Sequence, residues 1–291
     1  MKKYIKIIAV LTVALLVCTV CAFGAYRVVK RLNSSTGITT EPPVTDISGR
    51  IIPNHTDIAK SVLSPEFFVR DGKGRMTYSD SSVKTYTGID VSVFQGDIDW
   101  DAVKNDGIDF VMLRVGYRGY GQKGIMGKDD KFDSNYEGAK KAGLKVGVYF
   151  FSQATNESEA REEAAFVLDA VRDCPLDYPI AYDWEFVDNG EARTNGMTSE
   201  DITVCAKAFC EAIKSAGKVP VIYFNCETGY FNYDLPQVKD YDFWLAEYYD
   251  TPSFYYNYKM WQYSKTGSVD GISGDVDMNI SIVDFSGSAL G

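Results

Sequence analysis

Histidine is almost absent from this chain of 291 residues, which contains only His55. His55 falls in a segment that resembles a linker, so a Ser-His-Asp triad and a Cys-His nucleophile pair are excluded from the folded part. The sequence also lacks a His-Glu-x-x-His zinc motif and a Gly-x-x-x-x-Gly-Lys-Ser/Thr phosphate loop. If the chain is an enzyme, its carboxylates, hydroxyls and amides carry the chemistry, and we expect neither a metal nor a cofactor.

Positive charge is scarce outside the N-terminus. The chain has a formal net charge of −10, and residues 1–31 contain six basic and no acidic side chains, so the remainder carries −16. Nucleic-acid binding depends on basic contacts with phosphates, and such an acidic domain should repel a nucleic acid. The balance is compatible with an uncharged or amine-bearing polymer such as a glycan.

The N-terminal 31 residues have the pattern of a membrane segment. An uncharged stretch, residues 7–26, is flanked by three basic residues on each side, and its twenty residues match the thickness of a bilayer core. A cleavable signal usually has a shorter apolar region, so we expect residues 1–31 to remain as an anchor. Cleavage after Ala22-Phe23-Gly24 is the alternative, and it would give a secreted protein. In either case the acidic domain is expected outside the cell.

Residues 32–83 are rich in Ser, Thr, Pro, Asp and Gly and show no sustained hydrophobic periodicity. This composition predicts a flexible extracellular spacer. Four cysteines lie beyond the apolar segment: Cys174, Cys205, Cys210 and Cys226. Their even number permits disulfides in an exported domain, and buried reduced thiols are the alternative.

From residue 84 to residue 291, predicted strands alternate with predicted helices. The strands are 87–93, 109–116, 145–151, 178–185, 219–224, 242–248, 259–263 and 276–281, and the helices are 100–106, 132–142, 157–173 and 199–216. Repeated strand–helix units predict parallel strands with right-handed crossovers. About eight strands in so short a domain favour an irregular TIM-like α/β barrel over an open sheet. The helices fade after residue 230, so the last third should be the irregular part.

Residues 178–186, Tyr-Pro-Ile-Ala-Tyr-Asp-Trp-Glu-Phe, carry two carboxylates on a predicted buried strand. Asp183 and Glu185 are two positions apart, so they face the same side. Repulsion between them in a low-dielectric wall should leave one of them protonated near neutral pH. A protonated acid beside an ionised one can cleave a glycosidic bond. The structural alternative is a pair of helix caps or arginine partners.

Further acids and aromatic residues fall at the ends of predicted strands, where barrel enzymes hold their catalytic groups. Asp90 and Asp277 are the acids. Aromatic faces stack on sugars, and the predicted substrate-binding residues are Tyr117, Tyr149, Tyr182, Tyr223 and Trp261. The alternative for each of these aromatic residues is a place in the core.

Three motifs give the sequence its resemblance to a known family. They are Gly-Ile-Asp-Val-Ser-x-x-Gln-Gly with Ile-Asp-Trp at residues 88–100, Asp-x-Glu at 183–185, and Trp-Gln-Tyr-Ser with Gly-Asp-Val-Asp-x-Asn within 261–279. Together they resemble family 25 of the glycoside hydrolases, the Chalaropsis-type lysozymes. The resemblance covers about residues 86–286. It implies a (β/α)5β3 barrel, a monomer, and hydrolysis of the β-1,4 bond between N-acetylmuramic acid and N-acetylglucosamine in peptidoglycan.

The resemblance also implies roles for the four acids. Glu185 resembles the general acid, Asp183 the acid that orients or stabilises the reacting sugar, and Asp90 and Asp277 the other two acids of the groove. Three routes stay open: direct attack by Asp183, attack by the substrate's own acetamido group, and inversion through a water. We favour the second, which retains configuration. Competing hypotheses are a catalytically silent peptidoglycan-binding module and a glycosidase with another N-acetylhexosamine specificity.

Overall fold

The computed structural model describes residues 43–287, and from Thr45 onward these residues form one compact unit. The predicted anchor, residues 1–31, lies outside the described residues, as does the predicted spacer up to residue 42. Among residues 43–287, no helix is both long and apolar enough to cross a bilayer. The four cysteines of this part of the chain are free thiols.

Eight strands close into a barrel. The strands of the described chain are β1 (Phe68–Arg70), β2 (Met76–Tyr78), β3 (Tyr86–Val91), β4 (Phe110–Arg118), β5 (Met126–Lys128), β6 (Lys145–Ser152), β7 (Ile180–Trp184), β8 (Pro220–Asn225), β9 (Asp242–Ala246), β10 (Met260–Gly267) and β11 (Val276–Ser281). The barrel order is β3-β4-β6-β7-β8-β9-β10-β11, closed by the pairing of β11 with β3. Every neighbouring pair is parallel except those that β11 makes, because β11 runs antiparallel to both neighbours.

Helices connect the first six barrel strands. They are α1 (Trp100–Asn105), α2 (Phe132–Lys141), α3 (Glu157–Ala170), α4 (Ser199–Ser215), α5 (Cys226–Phe231) and α6 (Leu235–Val238). The start of α4 is fixed by a capping box, in which Thr198 and Asp201 exchange hydrogen bonds between side chain and backbone. After α2 and α4, Gly143 and Gly217 adopt positive φ angles of 78° and 73° and turn the chain into the next strand. The arrangement is therefore a mixed α/β barrel with five β/α units and three further strands.

The predicted strands and helices of the barrel are confirmed, with ends that differ by up to four residues. Sequence reasoning missed β1, β2, β5, α5 and α6. Each of these elements has at most six residues. Elements this short do not complete enough turns or alternations to give a periodic signal.

Alternation along β7 separates the inside of the barrel from its outer layer. Ala181 belongs to the interior cluster, whereas Tyr182 packs on Phe209 of α4 with ring centroids 5.1 Å apart. Stacked rings of Phe110 and Tyr178, with centroids 4.4 Å apart, fill the interior at the amino-terminal ends of the strands. Phe285 packs edge-on against Tyr178. This aromatic floor leaves the opposite rim, at the carboxyl ends of the parallel strands, as the place for a site.

Residues 45–83 pack against the barrel, so the prediction of a flexible spacer is wrong for this part. The β1–β2 hairpin buries Phe68, whose ring lies 5.1 Å from that of Trp261 on β10. Arg75 is buried and pairs with Asp106 at the end of α1. Composition misled the prediction because the apolar contacts are single residues in a polar segment, which produce no periodic pattern. The folded unit therefore begins well before residue 84.

Candidate active site

The four predicted acids meet at one rim of the barrel. Asp90 lies near the end of β3 and Asp183 near the end of β7, and Glu185 follows β7 directly. Asp277 lies near the start of β11, where it is the register partner of Asp90. From the sequence, Asp277 was predicted to lie at the end of its strand. The antiparallel direction of β11 instead brings its first residues to the rim where the parallel strands end.

The acids lie between two cavities of a groove. The larger cavity has a volume of about 640 Å³ and extends over the ends of β3, β4 and β6. The smaller has about 220 Å³ and extends towards β8, β9 and β10. The residues that line both cavities are Asp90, Tyr149, Asp183, Glu185 and Asp277. A polymer lying in the groove would therefore cross the carboxyl groups.

Asp183 and Glu185 form a proton-sharing pair. Burial raises the pKa of Asp183 well above its usual range, and the charges of Glu185 and Asp90 raise it further. Burial also raises the pKa of Glu185, although its hydrogen bond with Asp183 opposes this effect. A hydrogen bond between two carboxyl groups requires a proton on one of them. Asp183 is the more deeply buried, so it carries that proton in the free protein.

One oxygen of Asp183 is unsatisfied within the described residues. Its Oδ1 atom is buried and has no hydrogen-bond partner within residues 43–287. A buried polar atom without a partner costs free energy in the empty protein, and a binding site recovers that cost when the ligand supplies the missing hydrogen bond. The pair therefore combines a stored proton with a buried oxygen that has no partner in this part of the chain.

Asp90 and Asp277 form a second pair, held by side-chain amides. Gln262 Nε2 and Asn279 Nδ2 each donate to Asp90 Oδ2 over 2.7 Å. Burial raises the pKa of Asp90 well above its usual range and the charge of Asp277 adds to this, whereas the two amides oppose it. Burial also raises the pKa of Asp277. No arginine of residues 43–287 forms an ion pair with any of these four acids, so this part of the chain does not provide the arginine partners of the structural alternative.

Three of the five predicted aromatic residues line the groove. Tyr149 lines both cavities, Tyr117 the larger one and Tyr223 the smaller one. The other two were placed wrongly. Tyr182 is fully buried beneath α4, and Trp261 is fully buried against the β1–β2 hairpin, where its Nε1 donates to the carbonyl of residue 247. Tyr182 and Trp261 are each adjacent in sequence to an inward-facing polar residue. Because side chains alternate along a strand, these two aromatic rings lie on the outer face.

Sequence reasoning assigned no role to three side chains of the site, which are Gln262, Asn279 and Arg114. Gln262 and Asn279 hold Asp90, and Tyr248 and Tyr223 both donate to Gln262 Oε1, at 2.8 and 2.9 Å. Gln262 and Asn279 belong to the third sequence motif. Each is a polar residue at an inward position of a buried strand, and this feature of the sequence could have identified them as site residues. Arg114 lines the larger cavity. It is the one cation within the apolar run 110–115 of β4, and this was also visible in the sequence.

Behind the rim, Gln153 supports the backbone of Glu185. Its fully buried side chain donates from Nε2 to the carbonyl oxygens of Ser152 and Glu185, both at 2.9 Å. Its Oε1 accepts a hydrogen bond from Thr194 over 3.0 Å. Gln153 thus joins the end of β6 to the loop that follows β7, and this fixes where the main chain of Glu185 lies.

Known proteins share this architecture and sequence pattern. A family model described as glycosyl hydrolases family 25 matches residues 89–272. Over 194 residues the chain is 30% identical to the Autolytic lysozyme of Clostridium acetobutylicum. The aligned region covers 66% of this chain and 54% of that protein. Over 231 residues the chain is 29% identical to Lysozyme M1 of Streptomyces globisporus. The aligned region covers 75% of this chain and 74% of that protein.

A solved structure adds the fold. The modular autolysin LytC from Streptococcus pneumoniae, in complex with a synthetic peptidoglycan ligand, matches with a TM-score of 0.60 at 22% identity, covering 82% of this chain and 56% of LytC. The chain thus spans just over half the length of LytC and of the Autolytic lysozyme. Because the family model covers more than half of the chain, the chain belongs to glycosyl hydrolases family 25.

Proposed function

We propose that this chain is a lysozyme, which hydrolyses the β-1,4 bond between N-acetylmuramic acid and N-acetylglucosamine in peptidoglycan. The observation that carries the proposal is the proton-sharing pair of Asp183 and Glu185 at the junction of two cavities. Membership of the family supports it, as does the similarity to two proteins that are named lysozymes. LytC was solved with a peptidoglycan ligand, which supports peptidoglycan as the substrate here.

In the proposed mechanism, substrate binding moves the stored proton. The acetamido N–H of the reacting sugar donates to the open Oδ1 of Asp183, and this favours the ionised form of Asp183. The proton then resides on Glu185, which gives it to the leaving glycosidic oxygen. The acetamido carbonyl oxygen attacks the anomeric carbon, and Asp183 stabilises the positive charge that develops on the acetamido group. Water opens the resulting ring with Glu185 as base, so the configuration is retained.

The second acid pair completes the proposed site. Asp90 is fixed by Gln262 and Asn279, so its position is set before substrate arrives. We assign Asp90 and Asp277 to the binding and electrostatic stabilisation of the reacting sugar. Their negative field raises the pKa of both members of the first pair, since Asp90 acts on Asp183 and Asp277 on Glu185.

The test compares the clearing of a cell-wall suspension by the wild type, Glu185→Gln and Asp183→Asn. Loss of a general acid or of its partner is expected to lower the rate by about 100-fold or more. Glu191→Gln changes an exposed carboxylate in the loop after β7 and should clear walls at the wild-type rate. Equal clearing by Glu185→Gln and the wild type would refute the assignment of Glu185 as the general acid, and no clearing by the wild type would make the silent binding module the better description.

The products separate the remaining alternatives. Mass spectrometry should find N-acetylmuramic acid at the new reducing ends. Reducing N-acetylglucosamine would instead show a glycosidase of different specificity. Early NMR spectra should show the β-anomer, and an α-anomer as the first product would exclude the retaining route.

We also propose that residues 1–31 tether the protein to the cell membrane as a single pass, with the barrel on the outer side. The uncharged twenty residues between basic flanks support this. After cell fractionation, an antibody against the barrel should detect a full-length product in the membrane fraction. A shorter product in the medium would support cleavage instead. Light scattering of the purified barrel should give the mass of a monomer.

A further inference from the structure

Arg114 is one of three cations that line the larger cavity of the groove. It stands on β4 with Tyr149 of β6 as its register partner, and both line the larger cavity. Its Nε donates to Asp129 Oδ2 over 2.7 Å. Within residues 43–287, its terminal nitrogens Nη1 and Nη2 donate to no protein acceptor. The outer edge of the guanidinium is therefore available to a ligand in the cavity.

Asp129 holds this guanidinium in a fixed orientation. The Asp129 side chain is fully buried, and it also accepts hydrogen bonds from the backbone N–H groups of Val93 and Lys131, at 3.0 and 2.9 Å. The ring centroids of Phe94 and Tyr117 lie 4.9 and 5.7 Å from the central carbon of Arg114. The ring of Phe94 is exposed, and the guanidinium of Arg114 lies over it. An arginine held in this way loses little side-chain entropy when it binds.

The other two cations on this cavity are occupied. Arg118 donates to Glu163 and to the carbonyl oxygen of Gly124, at 2.7 and 2.9 Å. Lys128 pairs with Asp133 over 2.6 Å. Of the three cations that line the larger cavity, Arg114 is thus the one whose two terminal nitrogens both lack an acceptor within the described residues.

The chemistry of the proposed substrate suggests what these donors recognise. A planar guanidinium edge suits a carboxyl oxygen or a pair of them. Along the glycan, N-acetylmuramic acid carries a lactyl ether that ends in a carboxyl group, either free or joined as an amide to a stem peptide, and N-acetylglucosamine has no such group. We infer that Arg114 binds the lactyl carboxyl group of muramic acid and so determines which of the two sugars occupies the larger cavity. This inference rests on the proposed function.

The test measures binding without cleavage. Calorimetry in the Glu185→Gln background would use three tetrasaccharides: alternating N-acetylglucosamine and N-acetylmuramic acid with free lactyl carboxylates, the same chain with peptide amides, and four N-acetylglucosamine units. Loss of a charge-assisted hydrogen bond typically costs about 1.5–3 kcal/mol. Arg114→Gln should therefore raise the Kd of both muramyl ligands by about 10- to 100-fold. Binding of the all-glucosamine ligand should stay within about twofold, because that ligand lacks the group.

A second variant keeps the test decisive if Arg114→Gln fails to fold beside the buried Asp129. Arg114→Lys retains the charge and removes the planar fork, and we expect it to weaken the muramyl ligands by about fivefold or more. Lys131→Gln removes a neighbouring positive charge that pairs with the exposed Asp97, so it should bind all three ligands like the parent. A larger loss for the free carboxylate than for the amide would identify the ionised group as the ligand.

Two results would overturn the inference. Equal weakening of all three ligands by the arginine variants would show that Arg114 acts on a feature common to both sugars or on the fold. Unchanged binding of the muramyl ligands would show that it makes no such contact. Failure of the proposed function looks different, because the wild-type protein would then leave the muramyl tetrasaccharide uncut.

Discussion

Replacing Asp183 by asparagine should make the protein more stable at neutral pH while abolishing its activity. Asp183 is buried, one of its oxygens has no partner within the described residues, and two further carboxyl groups act on it. Keeping Asp183 in this buried site, whether charged or protonated, therefore lowers the stability of the folded state at neutral pH. Asparagine has nearly the same shape, carries no charge, and can donate a hydrogen bond to Glu185.

The size of the gain follows from the burial of the group. A buried polar atom without a partner costs about 1–3 kcal/mol, and more when it is charged. We therefore expect Asp183→Asn to raise the free energy of unfolding by about 1–3 kcal/mol at pH 7.5. For a domain of this size, 1 kcal/mol corresponds to about 2–4 °C in Tm, so the melting temperature should rise by about 2–12 °C.

The pH dependence identifies the cause. The pKa of Asp183 is raised in the folded state above its ordinary value of 3.8. Its contribution to stability is therefore complete below pH 3.8 and is lost as the pH rises through the folded-state value. Because asparagine does not titrate, the advantage of the variant should be large at pH 7.5 and should shrink towards pH 4.

Thermal and denaturant unfolding at the two pH values provide the measurement. Asp188→Asn, which changes an exposed carboxylate of the following loop, should shift Tm by less than about 1 °C at both. A variant at Asp183 that is less stable than the wild type at pH 7.5 would refute the argument. A gain of the same size at both pH values would also refute it, since packing and not charge would then be responsible.

Three further predictions concern parts of the structure around the site. Gln153→Ala should lower kcat about 10-fold or more with little change in KM, because the backbone of Glu185 loses its support. Steady-state kinetics would measure this, with Thr194→Ser as the control. Phe68→Ala should lower the free energy of unfolding by about 3–5 kcal/mol in denaturant titrations, and a loss below about 1 kcal/mol would argue against a packed hairpin. Asp277→Asn removes a charge that raises the pKa of Glu185, so the alkaline limb of the pH profile of kcat/KM should move to lower pH.

The sequence predicted the barrel strands because they are long enough to show buried runs, and it predicted the acids because charge is conspicuous in such runs. It could not separate the inward from the outward aromatic residues. Tyr182 and Tyr223 both occur in apolar strands, and only the register of each strand with its neighbours decides which one faces the groove. The sequence also could not predict the packing of residues 45–83. This packing depends on isolated contacts between segments far apart in the chain, such as that of Phe68 with Trp261.

The reversal of β11 explains how four acids come to act as one electrostatic system. If β11 ran parallel to its neighbours, its first residues would lie at the closed floor of the barrel, and Asp277 would be remote from the rim. Because β11 is antiparallel, Asp277 faces Asp90 in register, and Asn279, two residues deeper, donates to Asp90 from inside. Asp277 then acts on Glu185, and Asp90 acts on Asp183. The irregular last third of the barrel therefore adds, through Asp277, to the rise that burial causes in the pKa of Glu185 on the regular part.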